Sequence, residues 1–303
     1  MRKNQSLEDI TIRSLKRLTK IIQFEKPKMI LVQGDTTTTF VGALAGFYNK
    51  IPVGHIEAGL RTYDKFQPFP EEINRKLTTV LADIHFAPTK SAAENLKKEG
   101  IPSSQIFVTG NTVIDALLEV VGQNYKFKSP LKEIINNNCK LILVTTHRRE
   151  NFGKPLKNIC LALNEITQEL EDVQILFSVH PNPKVRNVVL NVLHNNKKIH
   201  LFPPLDYVTF AHLMAKSYLI LTDSGGIQEE APSLGKPVLV LRNKTERPEA
   251  IEAGTVKLVG TNVKKIIEET RKLLKDESEY NRMAKAINPY GDGKAAERIF
   301  NII

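Results

Sequence analysis

The sequence predicts an α/β protein with two doubly wound domains, each built on a parallel sheet covered by helices. Short apolar runs alternate with longer amphipathic patterns along nearly the whole chain, which is typical of parallel strands joined by helices. A chain of 303 residues suggests roughly two domains of about 100–200 residues each. The polar segment 122–130 predicts a linker, so we expect domains over residues 1–122 and 123–287.

In the first half, Ser6 with Asp9 three residues later predicts a helix start. Residues 36–39 lead into an alanine-rich helix, and a further helix is expected near Glu71, after a loop with two prolines. The predicted strands of this half are residues 29–32, 51–56, 84–87 and 106–109. A doubly wound domain usually opens with a strand and a phosphate-facing loop. This sequence opens with a helix, so we expect its first strand–loop–helix unit to be missing.

The second half repeats the rhythm after the linker. Its predicted strands are residues 140–145, 173–178, 199–202, 218–222 and 237–241. The segment 288–293 is rich in turn residues and precedes a final helical pattern. We expect this closing helix, within residues 288–303, to cross back to the first domain.

Composition narrows the class of function. The net charge of +10 would suit nucleic acid or a diphosphate ligand, but basic clusters interleaved with aromatic residues are missing, so we expect no nucleic-acid partner. No apolar run approaches the roughly 20 residues of a membrane span. Cys139 and Cys160 lack a metal-ligand spacing. These features predict a soluble cytoplasmic protein with reduced thiols and no bound metal.

Acidic residues follow the strands of the first half, where ligands of open α/β sheets bind. Asp35 follows the first strand, His55 and Glu57 end the second, and Glu71 and Glu72 open a helix. Each residue type also has a structural interpretation. Asp35 would cap the next helix, the paired glutamates would favour a helix dipole, and His55 would be a hydrogen-bonded core residue. Glu57 has the weakest structural explanation.

In the second half, His147 and Arg148 follow one strand and His180 follows another. The most informative segment begins with Ser224, Gly225 and Gly226, where a strand runs directly into a helix. Small residues allow a ligand close to the backbone, and free N–H groups favour a diphosphate.

Two further side chains extend this prediction. Glu230, one turn into the helix, would accept hydrogen bonds from ribose hydroxyls, and Arg247 would add positive charge nearby. The alternative is an ordinary helix cap, which needs no ligand.

Seven segments together resemble the non-hydrolysing UDP-N-acetylglucosamine 2-epimerases. They are residues 34–39 (GDTTTT), 55–61 (HIEAGLR), 70–75 (PEEINR), 147–151 (HRREN), 223–232 (DSGGIQEEAP), 245–249 (TERPE) and 288–293 (NPYGDG). The resemblance implies two Rossmann-like domains of the GT-B, glycogen-phosphorylase-like type, with a ligand cleft between them. It implies reversible conversion of UDP-GlcNAc to UDP-ManNAc by elimination and re-addition of UDP, without a cofactor, in a homodimer that supplies surface polysaccharide synthesis.

The same resemblance assigns roles to residues of this chain. It implies acid/base roles for Asp35, Glu57 and Glu71, and a role at the diphosphate for His147. It adds Phe210 to the UDP-binding set formed by Ser224, Gly225, Gly226, Glu230 and Arg247. It also implies activation by UDP-GlcNAc at a second site, to which Arg148 and His180 would contribute.

Members of this family begin with a strand and a Gly-Thr-Arg-Pro-Glu loop that the printed sequence does not contain. We expect a chain without that unit to be weak or inactive. Three alternatives remain open at this point. They are a hydrolysing enzyme that releases UDP and ManNAc, an inactive UDP-sugar-binding relative, and a glycosyltransferase, which would not explain acidic residues at 35, 57 and 71.

Overall fold

The computed structural model describes residues 5–245 and 247–303, and these form two compact units. Unit 1 contains the chain up to Asp115 together with Tyr290–Ile303, and unit 2 contains Ala116–Pro289. The division falls inside a helix, earlier than the linker at 122–130 that the sequence suggests as a boundary. The assignment of functional domains to 1–122 and 123–287 therefore stays a prediction.

Unit 1 is a four-stranded parallel sheet flanked by helices. Its strands are β1 (Ile30–Gln33), β2 (Val53–Ile56), β3 (Ile84–Ala87) and β4 (Ile106–Val108), in the order β1-β2-β3-β4. Its helices are α1 (Leu7–Glu25), α2 (Thr37–Tyr48), α3 (Glu71–Leu81), α4 (Lys90–Lys98), the first part of α5 (Thr112–Gly122) and α14 (Ala295–Ile302).

Unit 2 is a six-stranded parallel sheet in the order β10-β9-β8-β5-β6-β7. The strands are β5 (Lys140–Thr146), β6 (Val173–Val179), β7 (Ile199–Phe202), β8 (Leu219–Thr222), β9 (Val238–Val240) and β10 (Val256–Leu258). The helices are α6 (Leu131–Ile135), α7 (Lys154–Glu169), α8 (Pro183–Leu193), α9 (Tyr207–Lys216), α10 (Gly225–Glu230), α11 (Pro248–Glu252), α12 (Val263–Lys275) and α13 (Glu277–Ala284).

The strand order of unit 2 reverses between β5 and β8. From β5 the chain winds through β6 to β7 on one side, then returns to β8, β9 and β10 on the other. Such a reversal opens a crevice at the carboxyl ends of the two central strands, which is where doubly wound sheets bind ligands. The α/β class with two parallel sheets is confirmed.

The core of unit 2 forms because its central strands are covered on both faces. The residues Leu141–Thr146 of β5 are all buried, so this strand has no polar alternation. One face packs against the apolar stripe of α7, which includes Ile159, Leu163 and Ile166. Each such side chain contributes about 1.5–3 kcal/mol by leaving water.

The helix starts follow their sequence signals. The Ser6 hydroxyl accepts from the backbone N–H of Asp9 at 3.1 Å, which confirms the predicted start of α1. In α2 the cap is Thr36, whose Oγ1 accepts from the Thr39 N–H at 3.2 Å. Asp35 therefore does not cap that helix.

The final segment of the chain packs in unit 1. Tyr290 is buried, and its carbonyl accepts from the backbone N–H of Asn111 at 2.7 Å. The Asp115 carboxylate accepts from the N–H groups of Ala295 and Ala296 at 3.2 and 2.8 Å. The start of α14 is thereby capped by a residue of α5.

The sequence missed one strand and displaced others slightly. β10 is three residues long and was not predicted, while β2 begins two residues later than expected. In the part of the chain that the structure describes, no helix is long and apolar enough to cross a membrane.

Candidate functional site

Three acidic candidates surround one end of the sheet in unit 1. β1 and β2 are adjacent and parallel, so Asp35 and Glu57, which follow them, leave the sheet at neighbouring positions. The helix α3 begins with Glu71, and its Asn74 donates Nδ2–H to the backbone oxygen of Asp35 at 2.9 Å. The structure thus brings the predicted carboxylates into one region, although the sequence separates them.

Asp35 is oriented by an arginine that sequence reasoning left without a role. Arg75 of α3 donates through Nη2 and Nε to the same oxygen of Asp35, at 2.7 and 3.1 Å. The arginine is buried, whereas the Asp35 side chain is 29% exposed. Two charged donors hold this oxygen of Asp35 in place, while the side chain as a whole remains partly exposed.

The two glutamates at the start of α3 have different environments. Glu72 is fully buried, and its carboxylate accepts from the backbone N–H groups of Thr62 and Tyr63, each at 3.0 Å, and from Arg75 at 3.2 Å. It therefore fastens the loop before α3. Glu71 is half-buried and lines an open cleft, so Glu71 is the one available to a ligand.

Glu57 has an unusual backbone. Its φ of 65° lies in the left-handed region. Residues other than glycine seldom adopt this conformation, and where they do it often marks a functional site. A Cβ placed on Gly34 would lie 3.5 Å from Glu57 Oε2. Two residues later, Gly59 has a φ of 88° and a Cβ there would lie 2.2 Å from the Ala92 carbonyl oxygen, so only glycine fits.

A cleft of about 860 Å³ has Glu71 in its wall, and this volume is within the range of small-molecule sites. It lies between α1 and the first turns of α2 and α3. Basic and hydroxyl side chains share its wall with Glu71; they are Arg13, Ser14, Arg17 and Thr36–Thr38. The cleft thus offers both positive and negative partners to a polar ligand.

Two histidines lie beneath this region as buried, neutral groups. His55 Nε2 donates to the Gly34 carbonyl at 2.9 Å, which confirms the core interpretation of this residue. His85 lies opposite it on β3. Burial lowers the pKa of each imidazole to about 4, and the charge of Arg61 acts in the same direction.

The glycine-rich turn of unit 2 lies where β8 meets α10, next to the reversal of strand order. Ser224 is at the N-cap position of α10 without a capping bond from its side chain, Gly225 is buried, and Gly226 is exposed. A Cβ on Gly226 would lie 3.7 Å from Glu230 Oε2 and 4.0 Å from Ser224 Oγ. Ser224, Gly226 and Glu230 therefore form one small surface, as the sequence pattern suggested.

Glu230 is a buried carboxylate with one neutral donor. The Tyr207 hydroxyl donates to Glu230 Oε1 at 2.8 Å. Burial raises the pKa of Glu230, with a smaller contribution from Glu229, while the Tyr207 hydrogen bond opposes the shift. Phe210 is half-buried and lies one turn after Tyr207 on α9, so both aromatic residues lie on the same side of that helix.

His147 is held by Asp223, which follows the adjacent strand. Asp223 is fully buried, and its carboxylate accepts from the N–H groups of His147 at 3.0 Å and Arg148 at 3.0 Å, and from Asn151 Nδ2 at 2.9 Å. His147 Nδ1 lies 3.3 Å from Asp223 Oδ1, while the imidazole is 43% exposed. Partial burial lowers the pKa of His147, and Asp223 opposes that shift.

Arg247 is already paired. Its Nε donates to the buried carboxylate of Glu229, and its backbone N–H donates to Thr245 Oγ1 at 3.1 Å. Thr245 in turn donates to Gln228 Oε1 at 2.6 Å. Arg247 thus braces α10 through its neighbours, and its charge is shared with Glu229. Glu246 of the same sequence segment lies outside the described residues.

The two candidates for a regulatory site follow adjacent strands of unit 2. Arg148 follows β5 and is half-buried, and His180 follows β6. His180 Nδ1 accepts from the Asn182 N–H at 3.2 Å, directly after β6. His180 also lines a cleft of about 330 Å³ with Arg186 and apolar residues.

The cysteines and metal-binding side chains add nothing to these sites. Cys160 is buried in the core, which raises the pKa of its thiol to about 12, and neither cysteine is in a disulfide. Within residues 5–245 and 247–303, no three His, Cys, Asp or Glu side chains are grouped as metal ligands.

Fold and site together define a class: α/β proteins with two Rossmann-like units, one carrying a carboxylate cluster and the other a glycine-rich turn that suits a nucleotide diphosphate. The family model described as UDP-N-acetylglucosamine 2-epimerase matches residues 1–303. The chain belongs to this family.

Related sequences agree along the whole length of the chain. A protein of Clostridium acetobutylicum is 57% identical over 304 residues, which is 100% of this chain and 79% of that protein. The UDP-N-acetylglucosamine 2-epimerase of Bacillus subtilis is 52% identical over 299 residues, 99% of this chain and 78% of the relative.

Solved structures carry the same fold. The Neisseria meningitidis UDP-GlcNAc 2-epimerase bound to UDP-GlcNAc has a TM-score of 0.88 and 49% identity, covering 100% of this chain and 83% of that chain. A UDP co-structure of MnaA from S. aureus has a TM-score of 0.90 and 52% identity, covering 98% and 80%.

Proposed function

We propose that the protein interconverts UDP-GlcNAc and UDP-ManNAc by inverting C2 of the sugar. The observation that carries this proposal is the grouping of Asp35, Glu57 and Glu71 at one end of the unit 1 sheet, in a chain of the UDP-N-acetylglucosamine 2-epimerase family. Relatives of the same fold bind UDP-GlcNAc and UDP. Inversion requires proton removal from one face of the ring and proton return to the other, and carboxylates suit both tasks.

The reaction must remove the hydrogen on C2 of the sugar, which is not acidic. No carbonyl adjoins C2, so its proton is not acidic in the intact sugar. In the proposed route a base removes the C2 proton, the C1–O bond breaks, and UDP departs with the bonding electrons to leave a C1=C2 double bond. Return of a proton to the opposite face of C2 and attack of a UDP oxygen on C1 complete the epimerisation. Atoms and electrons balance without an oxidant.

The carboxylates of unit 1 are assigned to the proton transfers. Arg75 holds one oxygen of the partly exposed Asp35 carboxylate, Glu71 lines the cleft, and Glu57 has a left-handed backbone beside Gly34. Groups fixed in this way need little reorganisation in the transition state.

Unit 2 is assigned to UDP. Ser224, Gly225 and Gly226 would contact the diphosphate through backbone N–H groups, Glu230 would accept from the ribose, and Phe210 would pack near the base. His147 would stabilise or protonate departing UDP through Nε2, because Nδ1 faces Asp223. Arg247 would support this surface through Glu229 rather than touch phosphate.

Isotope exchange tests the reaction. The protein is incubated with UDP-GlcNAc in D2O, and the UDP-sugars are analysed by NMR and mass spectrometry. We expect deuterium at C2 of both epimers. Epimers that retain the original hydrogen at C2 would contradict exchange of the C2 proton with solvent. Free UDP with ManNAc as the main product would instead support the hydrolysing alternative.

We further propose where the enzyme is located, how it assembles and how it is regulated. We expect a cytoplasmic homodimer that supplies surface polysaccharide synthesis and is activated by UDP-GlcNAc at a site including Arg148 and His180. Light scattering tests the dimer. Kinetics with limiting UDP-GlcNAc test activation, since a second binding site would produce a lag or sigmoidal dependence that Arg148→Ala and His180→Ala variants lose.

A further inference from the structure

Tyr207 contacts Glu230, the residue proposed above to bind the ribose, although Tyr207 lies in none of the seven family segments. It is the first residue of α9, and its hydroxyl donates to Glu230 Oε1 at 2.8 Å. The residue is 44% exposed, whereas Glu230 is only 8% exposed. An exposed tyrosine thus covers one oxygen of a buried carboxylate at the UDP surface assigned above.

The position of Tyr207 is built into the fold. Asp206 caps α9, because its carboxylate accepts from the N–H of Thr209 at 3.0 Å and from the Thr209 hydroxyl at 2.7 Å. These bonds fix the first turn of α9, from which Tyr207 projects. Tyrosine has only two side-chain torsions, so a fixed backbone places its hydroxyl with little entropic cost.

The two oxygens of Glu230 are distinguished by this contact. Oε1 accepts from Tyr207, while Oε2 lies on the side of Gly226 and Ser224. An ionised carboxylate has about four acceptor sites, so Oε1 keeps capacity for a second donor. A vicinal diol presents two O–H donors at the spacing of two carboxylate oxygens, and a fixed carboxylate plane would receive both.

We propose that Tyr207 is a positioning residue that orients Glu230 to receive the 2′- and 3′-hydroxyls of a ribonucleoside diphosphate. The inference rests on the proposed function, because it assumes that UDP binds at the Ser224–Glu230 surface. In this proposal, Tyr207 and Glu230 together select ribose over deoxyribose. The substrate class is thereby restricted to nucleotides with a ribose diol.

The choice of phenol as donor has a physical reason. A basic side chain in this place would form an ion pair with Glu230 and compete with the weaker sugar hydroxyls. The neutral hydroxyl of Tyr207 fixes the carboxylate without cancelling its charge, and hydrogen bonds from neutral donors to a charged acceptor remain strong. Burial and the nearby Glu230 raise the pKa of Tyr207 above its usual range, so it keeps its proton.

The test is a thermodynamic cycle that combines removal of the Tyr207 hydroxyl with removal of the two ribose hydroxyls. Calorimetry measures the Kd of UDP and of 2′,3′-dideoxy-UDP for the wild-type protein and for Tyr207→Phe. We expect Tyr207→Phe to weaken UDP binding by roughly tenfold and to leave dideoxy-UDP binding unchanged within about twofold. In turnover we expect KM to rise by a similar factor while kcat changes little, since the ribose lies away from the reacting carbons.

The matched control is Tyr125→Phe. The Tyr125 hydroxyl lies 2.5 Å from Thr209 Oγ1 of α9. Its loss leaves both Thr209–Asp206 bonds of the α9 cap in place and removes no contact of Glu230. We expect this variant to bind both ligands like the wild type. Equal losses for UDP and dideoxy-UDP in Tyr207→Phe would overturn the inference, and so would tighter UDP binding, which would show that Tyr207 blocks the carboxylate.

A third variant separates this inference from the proposed function. Glu230→Gln should bind UDP weakly and lose its preference for UDP over dideoxy-UDP. Should Glu230→Gln keep the wild-type preference, the ribose does not bind at Glu230 and the assignment of UDP to this surface is wrong. Should Glu230→Gln lose it while Tyr207→Phe keeps it, only the role of Tyr207 is wrong.

Discussion

The backbone N–H of His147 donates to the buried carboxylate of Asp223 at 3.0 Å, and the His147 ring nitrogen Nδ1 lies 3.3 Å from the same carboxylate. The two residues follow β5 and β8, which are neighbours at the reversal of strand order in unit 2. The sheet topology thus joins segments separated by 76 positions. Asp223 serves as the acceptor that holds the His147 loop, although the sequence analysis gave this residue no role within the segment 223–232.

Asp223→Asn tests this support. The amide would place N–H groups against the donors of His147 and Arg148, so we expect the free energy of unfolding to fall by about 1–3 kcal/mol and turnover to fall by at least about tenfold. Denaturant titration and epimerase assays measure the two effects. Asp115→Asn is the control, because Asp115 caps α14 through two N–H groups in unit 1 and should affect stability without affecting UDP binding. Normal kinetics in Asp223→Asn would contradict the supporting role.

Gly226→Val tests the UDP surface directly. The glycine is exposed, and a Cβ there would make ordinary contacts with Glu230 and Ser224, so we expect the variant to fold normally. The valine methyl groups would occupy the surface assigned to the diphosphate, and UDP binding should fall by at least about 100-fold. Calorimetry measures the affinity and circular dichroism the fold.

Gly122→Val is the matched control for this substitution. A Cβ on Gly122 would meet nothing within 4 Å, so we expect wild-type affinity. Unchanged UDP affinity in Gly226→Val would show that UDP binds elsewhere.

The buried histidines predict a dependence of stability on pH. Burial lowers the pKa of His55 and His85 from 6.5 to about 4, so between these values the unfolded chain binds more protons than the folded chain. The stabilisation is complete above pH 6.5 and is lost as pH falls toward 4, by as much as roughly 3 kcal/mol for each histidine. Thermal unfolding across this range measures the slope.

His85→Leu should flatten that slope. Neither ring nitrogen of His85 has a hydrogen-bond partner among the described residues, so the substitution removes a buried polar group and should cost little stability at pH 7. Replacement of the exposed His194 is the control. A slope that is the same in His85→Leu and in the wild type would show that His85 does not contribute to acid sensitivity.

The sequence predicted those features that depend on local pattern. Buried strands such as β5 and β6 were found because their apolar runs are long, and the start of α1 was found because Ser6 is a local cap. β10 was missed because Val256–Leu258 is too short to show a period. The resemblance supplied the site residues as a set, and the structure grouped those of each unit.

Roles that arise only from tertiary contacts could not be read in this way. Glu71 and Glu72 are adjacent in sequence and equivalent by pattern, yet one lines the cleft and the other is buried under a loop. The sequence predicts that Arg247 adds positive charge to the UDP site. Its pairing with Glu229 was not predicted, because the two residues are distant in sequence. Arg75 lies in the segment 70–75 and Tyr207 lies in none of the seven segments, yet neither role could be read from the sequence, because each residue acts on a carboxylate of another element.

We propose that the carboxylates of unit 1 transfer the C2 proton while unit 2 binds UDP. The most direct measurement is the rate of deuterium incorporation at C2 of UDP-GlcNAc in D2O for Glu57→Gln and Glu71→Gln, alongside the UDP affinity of each variant. We predict exchange at least about 100-fold slower than in the wild type, with UDP affinity unchanged within about twofold. Wild-type exchange in both variants would show that Glu57 and Glu71 do not transfer the C2 proton. Loss of UDP binding together with exchange would show that they act in binding UDP instead.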